Sequence, residues 1–163
     1  MSYPPPVYRG DGGEVRAWFR HVDTPAELVR PDGGAAAFLA TGAQTEGRFG
    51  LYRWDMSAEP GGAQPHFHRT FSESFFVLAG SVELTDGTGW RPAEPGEFAY
   101  VPEGGIHGFR NVSGEPASLL ILFAPGAPRE AYFEGLLAMA EGRWEPTHDE
   151  LNAFLEEHDN IYV

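Results

Sequence analysis

Gly61-Gly62-Ala63-Gln64-Pro65-His66-Phe67-His68, followed by Glu73 and Gly80, is the stretch of this chain that carries the most chemistry. His66 and His68 stand two residues apart. On a β-strand, residues i and i+2 point to the same face, so both imidazoles would face one way. On a helix each residue advances ~100°, and the two rings would diverge by about 200°. The spacing therefore predicts a strand with two ligands on one side. Glu73 follows a short turn and opens the apolar run 74–78, where it shares a face with Phe75 and Val77. A carboxylate on a buried face is costly unless something pairs with it. A metal ion would remove that cost.

A second stretch comes later: Gly96, Pro102, Gly104, His107 and Asn111. Pro102-Glu103-Gly104-Gly105 reads as a turn, after which His107 opens a strand with Phe109 and Asn111 on its face. The two stretches together supply three imidazoles and one carboxylate. That donor set suits one divalent transition metal ion and accepts iron, manganese, nickel, cobalt, copper or zinc.

Around these stretches, short apolar segments alternate with Gly/Pro/Asp turns, at 36–40, 49–56, 74–84, 97–101, 108–112 and 117–123. Many short strands punctuated by turns predict an all-β sandwich or barrel. Asp86-Gly87 and Pro95-Gly96 read as turns between strands. Beyond Pro125 the pattern changes. Tyr132, Phe133, Leu136, Leu137 and Ala140 form a helical stripe over 129–141. Thr147 and Glu150 match a capping box that starts a second helix, with Leu151, Phe154 and Leu155 as its stripe. Ile161-Tyr162-Val163 is expected to dock back on the body.

With these residues in place, the chain resembles the cupins. Gly61…His66-x-His68-x4-Glu73-x6-Gly80 resembles their first signature motif, although Pro60 occupies the usual place of the leading glycine. Gly96-x5-Pro102-x-Gly104-x2-His107-x3-Asn111 matches their second at every fixed position. The resemblance implies a cupin jelly-roll β-barrel with one or two C-terminal α-helices. It divides the chain into an N-terminal arm (1–13), a barrel (14–125) and a helical extension (126–163). It implies that His66, His68, Glu73 and His107 are the metal ligands, and that the chain forms a homodimer.

Three histidines and a glutamate leave two open positions on a six-coordinate ion, and an open position distinguishes a catalytic metal from a structural one. Glu73 could also leave the ion and act as a base. Tyr52, Trp54 and Met56 alternate along one strand and would face the barrel interior. With Phe75, Phe98, Tyr100 and Phe109 they predict an aromatic-rich substrate pocket, to which Gln64, in phase with the histidines, adds a polar group. Phe67 and Phe71 fall out of phase with the ligands and are expected to pack on a partner subunit. The ligand set, aromatic pocket and trailing helices look like the quercetinase-type monocupins. That implies a dioxygenase that opens a flavonol-like or other enediol-type aromatic substrate with dioxygen, Glu73 taking the hydroxyl proton. Two other readings stand beside it: a non-oxidative isomerase, lyase or cyclase acting on a small carbonyl or polyketide-like metabolite, and a binding barrel without catalysis.

Composition narrows the partners. The 163 residues carry a formal charge of -13, and all 11 basic residues are arginine. An acidic body without a basic patch is expected to avoid nucleic acid and anionic membranes. There is no cysteine, which excludes disulfides and thiol catalysis. The opening Met1-Ser2-Tyr3-Pro4-Pro5-Pro6 lacks a basic and an apolar signal region, and no apolar run approaches the ~20 residues of a membrane span. A cytoplasmic protein with a small-molecule substrate is the expectation.

Overall fold

The computed structural model describes residues 2–163. Among these residues eleven strands form two antiparallel sheets, with two helices between the tenth and eleventh strands partly closing them. The six-stranded sheet runs β1 (Leu28–Val29), β2 (Ala35–Ala40), β3 (Gly50–Met56), β10 (Ala117–Ala124), β5 (Ser72–Ala79), β8 (Phe98–Val101). The five-stranded sheet runs β11 (Ile161–Tyr162), β4 (Gly61–Phe67), β9 (His107–Asn111), β6 (Val82–Thr85), β7 (Trp90–Ala93). This is a cupin jelly-roll-like fold, and its core lies between the sheets.

Alternation builds that core. On β10, Leu119, Ile121 and Phe123 are buried, while Ser118, Leu120 and Leu122 are only partly covered. β10 pairs with β3 on one side and β5 on the other, so its inward residues meet Tyr52, Phe75 and Val77 in one cluster. The apolar segment expected at 74–84 divides into β5 and β6. Gly80, at φ +70°, makes the break, and a side chain there would overlap the Pro116 carbonyl oxygen. The first strand starts at Leu28, so residues 14–27 belong with the arm: they have no regular strand, and most are exposed. Arg20 pins this segment by reaching Glu27 and the Pro25 and Phe38 carbonyls.

Helices α1 (Glu130–Ala140) and α2 (His148–Glu157) form where the apolar stripes predict them. Thr147 and Glu150 make the reciprocal capping box, an arrangement worth about 1 kcal/mol. Phe133 carries α1 onto the barrel, with Tyr52, Trp54 and Phe38 rings at 5.1, 5.3 and 6.2 Å. Tyr52 adds a hydrogen bond from its hydroxyl to Glu130 at 2.5 Å. Burial and the neighbouring Glu130 carboxylate together raise the Tyr52 pKa, so that hydroxyl keeps its proton. Ile161 and Tyr162 dock back as β11, pairing with Phe67 and His66 of β4. No helix of the described residues is long and apolar enough to cross a membrane.

Candidate metal centre

β4 and β9 are neighbours, and His66 sits opposite His107 across them. His68 follows just beyond the end of β4, its ring 4.9 Å from that of His66. Glu73 enters from β5 on the facing sheet. The ligand atoms of His66, His68, Glu73 and His107 all lie within 4.8 Å of one another, and all four residues are buried.

Each imidazole is oriented from behind. The Nδ1 atoms of His66, His68 and His107 sit 2.7, 2.5 and 2.9 Å from the carbonyl oxygens of Gln64, Asp159 and Gly105. A carbonyl only accepts, so each Nδ1 carries a hydrogen, and Nε2 is the atom each ring offers to an ion. The Nε2 atoms of His68 and His107 lie 2.8 and 2.9 Å from Glu73 Oε2. Neighbouring ligands of an ion with bonds of about 2.1 Å lie roughly 3 Å apart at right angles. The separations therefore fit one ion held by His66, His68, His107 and Glu73, and the carbonyls behind the rings are the supports such ligands use.

Electrostatics favour the ligating form at Glu73 and His66. Burial opposes ionisation of Glu73, but hydrogen bonds and charges from His107 and His68 outweigh it and hold the carboxyl well below its usual range. Burial, reinforced by repulsion from His107, pushes His66 down to about 4. Burial also opposes protonation of His107, yet the Glu73 hydrogen bond and charge prevail and raise its pKa. Glu73 is thus an ionised donor and His66 a neutral one, the forms that metal binding requires.

A cavity of about 410 Å³ leads to this cluster. Its rim includes the exposed Asp32, Glu59, Gly61 and Gly62, and its floor the buried His66, Glu73, Phe123, Arg129 and Asn160. Trp54, Met56 and Phe109 line its barrel side, and α1 covers it with Phe133, Leu136 and Met139. Of the eight residues expected at a pocket, Trp54, Met56 and Phe109 line this cavity.

The other five lie elsewhere. Tyr52 is wholly buried but is taken up by packing and hydrogen bonding to α1. Phe75 is core, 5.9 Å from the His107 ring and 5.6 Å from Phe109. Phe98 and Tyr100 point outward, each 61% exposed, because Ala99 and Val101 take the inward positions of β8. Gln64 is exposed because the register between β4 and β9 shifts between Ala63 and His66. The extra residue reverses the alternation, so Gln64 serves His66 through its carbonyl rather than its side chain. Phe71 is also redirected. It is 2% exposed and packs its ring 4.3 Å from His68, inside the molecule.

Sequence reasoning passed over Arg129, Asp159 and Asn160. Asp159 uses its carbonyl to orient His68 and its carboxylate to accept from Arg69 N, Thr70 N and Thr70 Oγ1. The signals were slight: Asp159-Asn160 as a turn pair before Ile161-Tyr162, and Arg129 as the lone basic residue at the start of its helix.

The signature residues now stand together on a jelly roll, and residues 54–123 match the cupin domain family. The chain belongs to the cupin superfamily. Among curated proteins, this cupin is 30% identical over 107 residues to an uncharacterized protein, SCO3923, from Streptomyces coelicolor, covering 66% of this chain and 94% of the relative. It is 36% identical over 61 residues to an uncharacterized Aquifex aeolicus protein, covering 37% of this chain and half the length of that relative. Among solved structures it resembles the polyketide cyclase RemF from Streptomyces resistomycificus at 26% identity, TM-score 0.55, over 67% of this chain and 79% of that one. KdgF from Halomonas shares the fold at 20% identity, TM-score 0.56, over 67% and 94%. An RmlC-like cupin from Shewanella frigidimarina does so at 17% identity, TM-score 0.57, over 72% and 96%.

Proposed function

We propose that this cupin is a metal-dependent enzyme that acts without dioxygen on a small carbonyl compound with an aromatic or conjugated body, as an isomerase, lyase or cyclase. The observation that carries this is the cavity. Its floor presents two of the four buried ligand residues, His66 and Glu73, and its walls present Trp54, Met56 and Phe109. His66, His68, His107 and Glu73 would hold the ion, which would act as a Lewis acid on a substrate oxygen. The apolar walls would orient the ring system and exclude water. Glu73, ionised and facing the cavity, would take a proton from an acidified carbon or hydroxyl. Only its Oε2 contacts the histidines, which leaves Oε1 for that task. The likeness to RemF supports the non-oxidative route, since that protein is described as a polyketide cyclase.

The dioxygenase reading keeps the same ligands and the same Glu73 role, with a flavonol-like enediol as substrate and dioxygen as the second reactant. Its support is that the cavity reaches only part of the ligand set, so a substrate oxygen and dioxygen could approach from one side. The test is turnover of a cyclisable 1,3-dicarbonyl and of a flavonol by natively purified, metal-assayed protein, with and without oxygen. Dicarbonyl turnover that is unchanged without oxygen and lost after chelation supports the proposal. Oxygen uptake with the flavonol would replace it with the dioxygenase.

A further inference from the structure

Arg129 is 3% exposed, yet it has no carboxylate partner within hydrogen-bonding range. Its guanidinium donates to the His158 carbonyl at 2.6 Å and to Asn160 Oδ1 at 2.9 Å. The group lies over Tyr132, Phe123 and Phe71, at 4.1, 5.2 and 5.3 Å from the ring centres. Glu73 and Asp159 favour its charge only through space, and burial lowers its pKa. A guanidinium can only donate, so the Asn160 amide must turn its oxygen toward Arg129. That leaves Asn160 Nδ2 buried with no partner, and Arg129 Nε is in the same condition.

These two groups are the buried unsatisfied side-chain donors among the described residues, and both residues line the cavity beside His66 and Glu73. A clamp that only tied the chain terminus to α1 would have no use for a buried cation or for spare donors, since both cost stability. Of the acids lining the cavity, Asp32 pairs with Arg30 and Asp55 with Arg53, whereas Glu59 at the rim and Glu73 at the floor have no arginine partner. Arg129 is thus the lining arginine without a carboxylate partner in hydrogen-bonding range.

We propose that Arg129 and Asn160 form a carboxylate-binding subsite, and that this cupin takes an aromatic or conjugated acid whose carboxylate is held there. The ring then lies against Trp54, Met56 and Phe109. This rests on the reading of the cavity as a substrate site, and it names the substrate class. It does not depend on the ion being bound.

The experiment is calorimetric titration of benzoate and of its neutral counterpart benzamide, into EDTA-treated and untreated protein. One charge-assisted pair in a buried site predicts that benzoate binds about ten-fold or more tighter than benzamide, in both preparations. Arg129→Gln should abolish the preference. Because that variant also loses the His158 contact, Asn160→Asp is the companion. It places a carboxylate against the guanidinium in nearly the same shape, and should abolish the benzoate preference while retaining the native circular dichroism. Equal binding of benzoate and benzamide overturns the subsite. So does a preference that survives in Asn160→Asp, or one that disappears with EDTA, which would assign the anion to the ion alone. Failure of the protein to hold a metal would sink the proposed chemistry and leave the EDTA-treated comparison intact.

Discussion

Phe133→Ala tests whether the C-terminal helices and the barrel are one cooperative body. Phe133 is 5% exposed, and its ring lies between 5.1 and 6.3 Å from those of Tyr52, Trp54, Tyr132, Phe38 and Phe123. Rings from β2, β3 and β10 surround it, so the space it leaves has little freedom to collapse. Truncating a Phe in such surroundings costs about 3–5 kcal/mol. For a chain of this size each kcal/mol lowers the melting temperature by roughly 2–4 °C, which predicts a fall of about 6–20 °C. Urea unfolding should be followed by the fluorescence of the four tryptophans, among them Trp54 on the barrel and Trp144 against α2, and by helical circular dichroism. Both signals should move together, with the midpoint lowered and the slope unchanged. A loss below about 1 kcal/mol would show that the ring is not gripped as described. Two separated transitions in the wild type would show that the helices unfold on their own.

Three further outcomes follow from the geometry. His107→Ala should lose stoichiometric metal by elemental analysis. It should also lose the rise in melting temperature that added metal gives the wild type, a stabilisation of about 4 kcal/mol when free metal exceeds Kd a thousand-fold. Asp159→Ala removes the acceptor of three hydrogen bonds that hold residues 69 and 70 beside His68. The carbonyl behind His68 remains, so metal affinity by competition with a chelator should fall by about 10-fold or less, the low end of what losing a ligand's support costs. The expected homodimer would cover Phe98 and Tyr100, each 61% exposed, together with Phe76 and Leu78 on the same sheet face. Light scattering should then give twice 17.9 kDa for the wild type and the monomer mass for Phe98→Glu/Tyr100→Glu. A wild type that runs as a monomer refutes the pairing.

Much of the fold was legible because its periodicities are local. The alternation on β10, the Gly turns and the Thr147–Glu150 box each need only a few adjacent residues to be read. The ligand cluster was legible for a different reason: strand parity brings His66 and His68 to one face, and the Pro102–Gly105 turn returns His107 to them. Parity failed where the chain departs from it. One extra residue between Ala63 and His66 reversed Gln64, a register shift that depends on pairing with β9 and is marked in β4 only by Pro65, a residue that strands confine to edges and bulges. Phe98 and Tyr100 were misplaced because an edge strand can keep small or branched residues inward, here Ala99 and Val101, and leave its aromatics outside. Phe71 was read outward from its phase with His68, but the chain turns between β4 and β5 and phase does not carry through a turn.

The residues that reading missed belong to the last third of the chain, and they divide the labour of the site. The barrel supplies all four candidate ligands. The extension supplies the carbonyl behind His68, the Asp159 carboxylate that fixes the β4–β5 turn, the roof over the cavity and the buried charge at its floor. The match to the cupin domain family ends at residue 123, before any of these groups. Family membership therefore speaks to the metal and is silent on the acid that Arg129 and Asn160 are proposed to hold. If the barrel sets how a substrate is activated and the extension sets which substrate is admitted, exchanging residues 126–163 for those of another cupin should change the preferred ligand while the metal stays. Loss of metal in such a chimaera would show instead that the His68–Asp159 contact makes the two parts inseparable.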